Sequence, residues 1–153
     1  MGRFVLAAVA ALLAGSAATS PALAQINTSD MKWGPAPAGL PAGAQLAVLS
    51  GDPGKEGMFT IRIKFPAGFT VQPHHHPADE LVTVIEGDFA LGMGDTFDRE
   101  RMTLLKPGGY AVAAKDMNHY VTTTGGGIVQ ITSHGPFAIV YANPKDDPRN
   151  AKK

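Results

Sequence analysis

Apolar and polar side chains alternate from Met58 to Phe65, with Phe59, Ile61, Ile63 and Phe65 on one side and Thr60, Arg62 and Lys64 on the other. A period of two marks a strand with one buried face. Shorter apolar or β-branched runs at Gln45 to Ser50, Phe69 to His76, Leu81 to Glu86, Phe89 to Met93, Tyr110 to Ala114, His119 to Thr123, Gly127 to Ser133 and Pro136 to Tyr141 bring the count to about nine strands. Glycine and proline punctuate them: Pro66-Ala67-Gly68 turns the chain before Phe69, and Gly87-Asp88 reads as a tight hairpin turn. Gly68 and Gly87 are needed where a side chain would obstruct a positive φ or a close backbone approach. One short helix is expected at Phe97 to Leu105, where Asp98, Arg99, Glu100 and Arg101 lead into Met102 and Leu105 without a breaker. Many short strands with Gly and Pro turns predict an all-β antiparallel barrel or jelly roll.

The two ends fall outside this pattern. Arg3, the apolar run Phe4 to Ala14 and the small residues of Ala22-Leu23-Ala24 read as a signal peptide over residues 1–24, cleaved to leave Gln25 first. Gly15, Ser16, Thr19, Ser20 and Pro21 interrupt the apolar stretch, which is too short for a spanning anchor. The expected destination is therefore outside the cytoplasm, a bacterial periplasm, with no membrane attachment after cleavage. Residues 25–44 are rich in Pro, Gly and Ala without a period and predict an extended arm, whose Trp33 is expected to lie along the domain or along a partner subunit. The polar residues 144–153 are expected to be a flexible tail. The β-barrel domain is left with residues 45–143.

Composition narrows the chemistry. A formal net charge of +0, with no basic run beyond Lys152-Lys153, gives nucleic acid no electrostatic footprint. Cysteine is absent, which removes disulfides, thiolate nucleophiles and zinc–thiolate sites. Any metal must be held by nitrogen and oxygen.

Such a donor set stands between two strands, in the stretch Gly68 to Gly87, GFTVQPHHHPADELVTVIEG. Residues two apart share a face of a strand, so His74 and His76 point one way and His75 the other. Pro77 closes that strand, and an Ala78-Asp79 turn returns Glu80 to the same point at the head of the next. Asp79 competes as the carboxylate, but the spacing and the strand start favour Glu80. A further strand carrying His119 would complete three neutral imidazoles and one carboxylate, suited to a divalent Mn, Fe, Co, Ni, Cu or Zn ion, one per subunit. By the same period Gln72, Val82, Val84 and Val121 are candidates to line the pocket. Phe59, Phe89, Met93, Met117 and Tyr120 are candidates for its remaining walls. His134, before Gly135-Pro136, is given a structural role.

The chain resembles the cupin superfamily in these residues. The first cupin motif falls on Gly68, His74, His76, Glu80 and Gly87 at every position; the second is degenerate, with Gly108 and His119 in place but Ala114, Asp116 and Thr123 where Pro, Gly and Asn would stand. The departures touch the turn before His119, which Asp116, Met117 and Asn118 can still form. The resemblance implies a small six- to eight-stranded barrel with the metal inside, and a homodimer paired through N-terminal strands. Two classes of function follow: a metal-dependent enzyme acting on a small molecule, dioxygenase-like or polarising a carbonyl, and a non-catalytic metal or small-ligand binding module. No paired carboxylates, Ser-His-Asp set or phosphate-cradling loop supplies a general base beyond the metal.

Overall fold

A computed structural model describes residues 25–151. The expected signal peptide, residues 1–24, lies outside the described residues. Among the described residues, eleven strands form two antiparallel sheets. The first sheet contains β1 (Gly34–Pro35), β2 (Gln45–Ser50), β3 (Gly57–Phe65), β5 (Glu80–Gly87), β8 (Tyr110–Ala113) and β10 (Gly127–Gly135), in the order β1-β2-β3-β10-β5-β8. The second contains β4 (Thr70–His75), β6 (Phe89–Met93), β7 (Thr103–Leu105), β9 (His119–Thr122) and β11 (Val140–Tyr141), in the order β11-β4-β9-β6-β7. This is the all-β jelly roll that the pattern predicts.

The alternation along β3 is realised residue for residue. Phe59, Ile61, Ile63 and Phe65 are buried while Thr60, Arg62 and Lys64 are only partly covered. Those four side chains meet Val82, Val84, Val129 and Ile131 of their own sheet and Val71, Phe89 and Val121 of the other. One apolar core thus fills the space between the sheets, and it surrounds the histidines on the inner face of β4 and β9.

Both predicted turn glycines have left-handed backbones, Gly68 at φ +71° and Gly87 at φ +77°. A side chain on Gly87 would also run into the carbonyl of Gly126. Asp88, beside it, accepts hydrogen bonds from the amides of Thr124 (2.7 Å) and Gly125 (2.9 Å), tying two neighbouring turns together.

Two expectations change, the helix over Phe97 to Leu105 and the strand over Pro136 to Tyr141. The helix over Phe97 to Leu105 is reduced to a single 3-10 turn at Arg99–Arg101, and Thr103–Leu105 forms β7 against Phe89–Leu91. The physical reason is local: Asp98 caps the turn by accepting from the Glu100 amide, and the charged run has no apolar stripe to bury as a longer helix. Pro136 to Tyr141 shrinks to the two residues of β11. The arm lies along its own domain, where β1 pairs with β2 and the Lys64 ammonium sits 4.6 Å from the centre of the Trp33 ring. The C-terminal segment makes two 3-10 turns, and Arg149 donates to the carbonyl of Ile139 at 2.8 Å.

Candidate metal centre

Three strands bring the polar cluster together. His74 lies on β4 directly opposite His119 on β9, His76 follows at the end of β4, and Glu80 is the first residue of β5. All four are buried. The ligand atoms of the three histidines lie within 4.8 Å of one another, a spacing that could hold a metal ion. Glu80 reaches in beside them, with Oε1 3.5 Å from His76 Nε2 and Oε2 3.4 Å from His119 Nε2.

The orientation of each ring is set by the main chain. Nδ1 of His74 donates to the carbonyl of Gln72 (2.8 Å), Nδ1 of His76 to that of Ala138 (2.7 Å), and Nδ1 of His119 to that of Met117 (3.1 Å). A carbonyl only accepts, so the proton of each ring is fixed on Nδ1 and a neutral ring presents the Nε2 lone pair. Backbone carbonyls behind the imidazoles are the usual way of orienting metal-binding histidines. His76 is further held by Phe137, whose ring stacks on it at 4.4 Å.

Burial strengthens the same reading. It pushes His74 down to about 3, helped by His119 and His76, and it also lowers His76. Burial alone would raise Glu80, but His76 and then His119 outweigh it and hold the carboxyl at about 2. The cluster thus sets an ionised carboxylate beside His74 and His76, two imidazoles that resist protonation. Among the described residues, His76 Nε2 is a buried side-chain nitrogen without a hydrogen-bond partner. A cation between these groups would satisfy the lone pairs and the carboxylate together, so the residues fit a divalent metal.

Other candidates sort less evenly. Val82 and Val121 line the small chamber around the cluster, as does Phe89. Val84 is buried in the core but does not line it. Gln72 does not share the inner face. Between Val71 and His74 the pairing with β9 slips by one residue, because Val71 faces Val121 and His74 faces His119. Pro73, which has no amide proton for the ladder, sits in that bulge and breaks the period of two. Gln72 contributes its carbonyl instead of its side chain. Phe59 and Tyr120 are buried away from the chamber, whereas Met93 and Met117 are exposed.

Asp79 is engaged elsewhere, accepting from the Lys115 amide at 2.7 Å. The turn before His119 forms despite its altered residues: Asp116 adopts φ 59° and donates its amide to the His76 carbonyl at 2.9 Å. His75 points away from the cluster and donates to Asn118. His134 is exposed, its Nδ1 next to the carbonyl of Gly135. Leu40 and Phe137, which the pattern did not suggest, also line the chamber. Leu40 is the one large apolar side chain in the Pro-, Gly- and Ala-rich stretch 34–44, a sequence signal that could have pointed to it.

Comparison with known proteins now adds a family. A family model described as a domain of unknown function, DUF4437, matches residues 14–140. The chain belongs to the DUF4437 family. No curated protein matches it. Solved structures similar to this DUF4437 chain are cupins. An RmlC-like cupin from Shewanella frigidimarina aligns at TM-score 0.56 and 17% identity over 71% of this chain and 87% of its own. KdgF from a Halomonas species aligns at 0.55 and 19% over 71% and 91%, and the polyketide cyclase RemF from Streptomyces resistomycificus at 0.63 and 16% over 81% and 88%. At these identities the likeness shows the fold, and the DUF4437 chain has the cupin fold.

Proposed function

We propose that this chain binds one divalent transition metal per subunit through His74, His76, His119 and Glu80 and acts as a metal-dependent enzyme on a small organic molecule. The observation that carries the reading is the common orientation of the three clustered rings, each with Nδ1–H on a backbone carbonyl, and Nε2 of His76 and His119 turned toward Glu80. When bound, such a metal supplies Lewis acidity or, if redox-active, a place for O₂ or a chelating substrate. The protein's own part is to aim the imidazoles through their backbone carbonyls, keep His74 and His76 neutral and Glu80 ionised, and exclude bulk water with an apolar lining. RemF, a polyketide cyclase on the same fold, supports chemistry on an organic substrate, although a fold by itself does not choose the reaction.

The metal is one of Fe, Mn, Ni, Cu or Zn, and the protein is exported to a bacterial periplasm and pairs as a homodimer. Export is supported by the pattern of residues 1–24, and sequencing the N-terminus of protein isolated from its native cell tests it: a first residue of Gln25 is expected.

The deciding experiment is elemental analysis of purified protein. About one metal per subunit is expected, and His76→Ala should lose most of it. Unchanged metal content in that variant would overturn the site. A second reading, a binding module without turnover, is favoured by the size of the chamber, about 30 Å³, which is room for about one water. Oxygen uptake with phenolic or thiol substrates separates the two: substrate-dependent consumption supports the enzyme, and metal without turnover supports the module.

A further inference from the structure

The inner chamber cannot hold an organic substrate, yet a second cavity of about 300 Å³ lies against it. Leu40, Ile63, Phe137 and Ile139 face both spaces and form the partition between them. The outer cavity is walled by the arm at Pro37 to Leu40, by β2 and β3, and by the segment before β11. Its volume is at the lower end of those that enclose small-molecule ligands. The arm is fixed in place there, because Tyr141 donates its hydroxyl to the carbonyl of Gly39 at 2.8 Å.

The lining is apolar apart from Arg149, its one charged side chain. That guanidinium is already paired: Nε and Nη2 contact the Asp147 carboxylate at 2.7 to 3.1 Å, and Nη2 also donates to Ile139. An anionic ligand would have to compete with Asp147 while losing its own hydration. An uncharged one loses little and gains the apolar walls.

We propose that this outer cavity is the substrate vestibule of the metal centre, and that it takes an uncharged, mainly apolar molecule of one or two rings. The link to catalysis rests on the metal-dependent reading above, whereas binding in the vestibule does not. Of the four partition residues, Phe137 also touches a metal-cluster side chain, since it lines the vestibule and stacks on His76.

The test uses 2-naphthol, uncharged at neutral pH, and 2-naphthoate as its anionic counterpart, titrated calorimetrically into the full-length mature protein with metal content measured on the same samples. Two variants fill the vestibule: Leu46→Trp on β2, away from the metal cluster, and Ala138→Phe, which keeps the carbonyl that holds His76. Saturable binding of 2-naphthol is expected, weakened about tenfold or more in both variants, with 2-naphthoate at least about tenfold weaker than 2-naphthol on wild type. Tighter binding of 2-naphthoate, equal binding by wild type and both variants, or no saturable binding by protein that retains its metal would overturn the vestibule and leave the metal site standing. Binding that the variants abolish, in protein with no metal, would support the vestibule and overturn the metal centre instead.

Discussion

His75 donates from Nδ1 to the side-chain oxygen of Asn118 at 2.9 Å, on the opposite side of the strands from the metal cluster. His75 sits between His74 and His76, and Asn118 immediately precedes His119, so this one bond laces together both segments that carry imidazoles. Asn118 is itself fixed: its amide donates to Asp95 at 2.7 Å and its carbonyl accepts from Gly94 at 2.8 Å. Asn118→Ala should leave the fold intact and weaken metal binding about tenfold, the lower end for outer partners of metal sites. Competition against a chromophoric chelator measures it. An unchanged affinity would mean that the rings are held by their backbone carbonyls alone.

Asp116 offers a separate test of the turn before His119. Its φ of 59° is a left-handed conformation that Asp tolerates and β-branched residues do not. Its side chain is exposed and its amide contacts the His76 carbonyl, so backbone conformation is what the position demands. Asp116→Gly should stay within about 1 kcal/mol of wild type, and Asp116→Val should lose about 1–3 kcal/mol. Urea unfolding of the three proteins side by side decides it. Equal stability of the Val variant would contradict a strained turn.

Much of this site was legible because a strand's period of two is simple geometry. The shared face of His74 and His76 follows from it, Glu80 follows from the turn after Pro77, and the buried face of β3 follows without error. The misreadings occur where something local overrides the period. A bulge at Pro73 turned Gln72 away, and a capped turn at Asp98 cut short the helix expected over Phe97 to Leu105. The ring-holding carbonyls of Gln72, Ala138 and Met117 carry no side-chain signature, so no residue type announces them. Leu40 reaches the chamber only because the arm folds back, a tertiary fact that local pattern does not contain.

Asp88 gives the pH dependence a defined sign. The amides of Thr124 and Gly125, with smaller help from Lys106, hold its carboxyl below the usual aspartate range. A carboxyl lowered on folding contributes stability that is fully present above its unfolded value, about 3.9, and is lost as pH falls through the lower folded value. The side chain is solvent-accessible, so the contribution is about 1 kcal/mol after screening. Asp88→Ala should therefore be less stable than wild type by that amount at pH 7, with the gap closing below about pH 4. Denaturant titrations at pH 7, 5 and 3 follow it. A gap that persists unchanged at pH 3 would show that packing of the turn, not the charge, is responsible.

Tyr141 connects the arm to the sheet that carries His74. It pairs with His74 across β11 and β4, and its hydroxyl donates to Gly39, next to the Leu40 side chain that enters the metal chamber. Burial, with Asp147 nearby, pushes the phenol up to about 12, so it remains a donor through the physiological range. Tyr141→Phe removes that donor and leaves a buried carbonyl without it, at a cost of about 0.5–1.5 kcal/mol. The loss should be local. Amide hydrogen exchange is expected to speed up at Leu40, whose amide bonds to Pro37, while β3 and β10 keep wild-type protection. Exchange at Leu40 that matches wild type would mean that the Leu40 side chain, not the Tyr141 hydroxyl, secures the arm over the metal chamber.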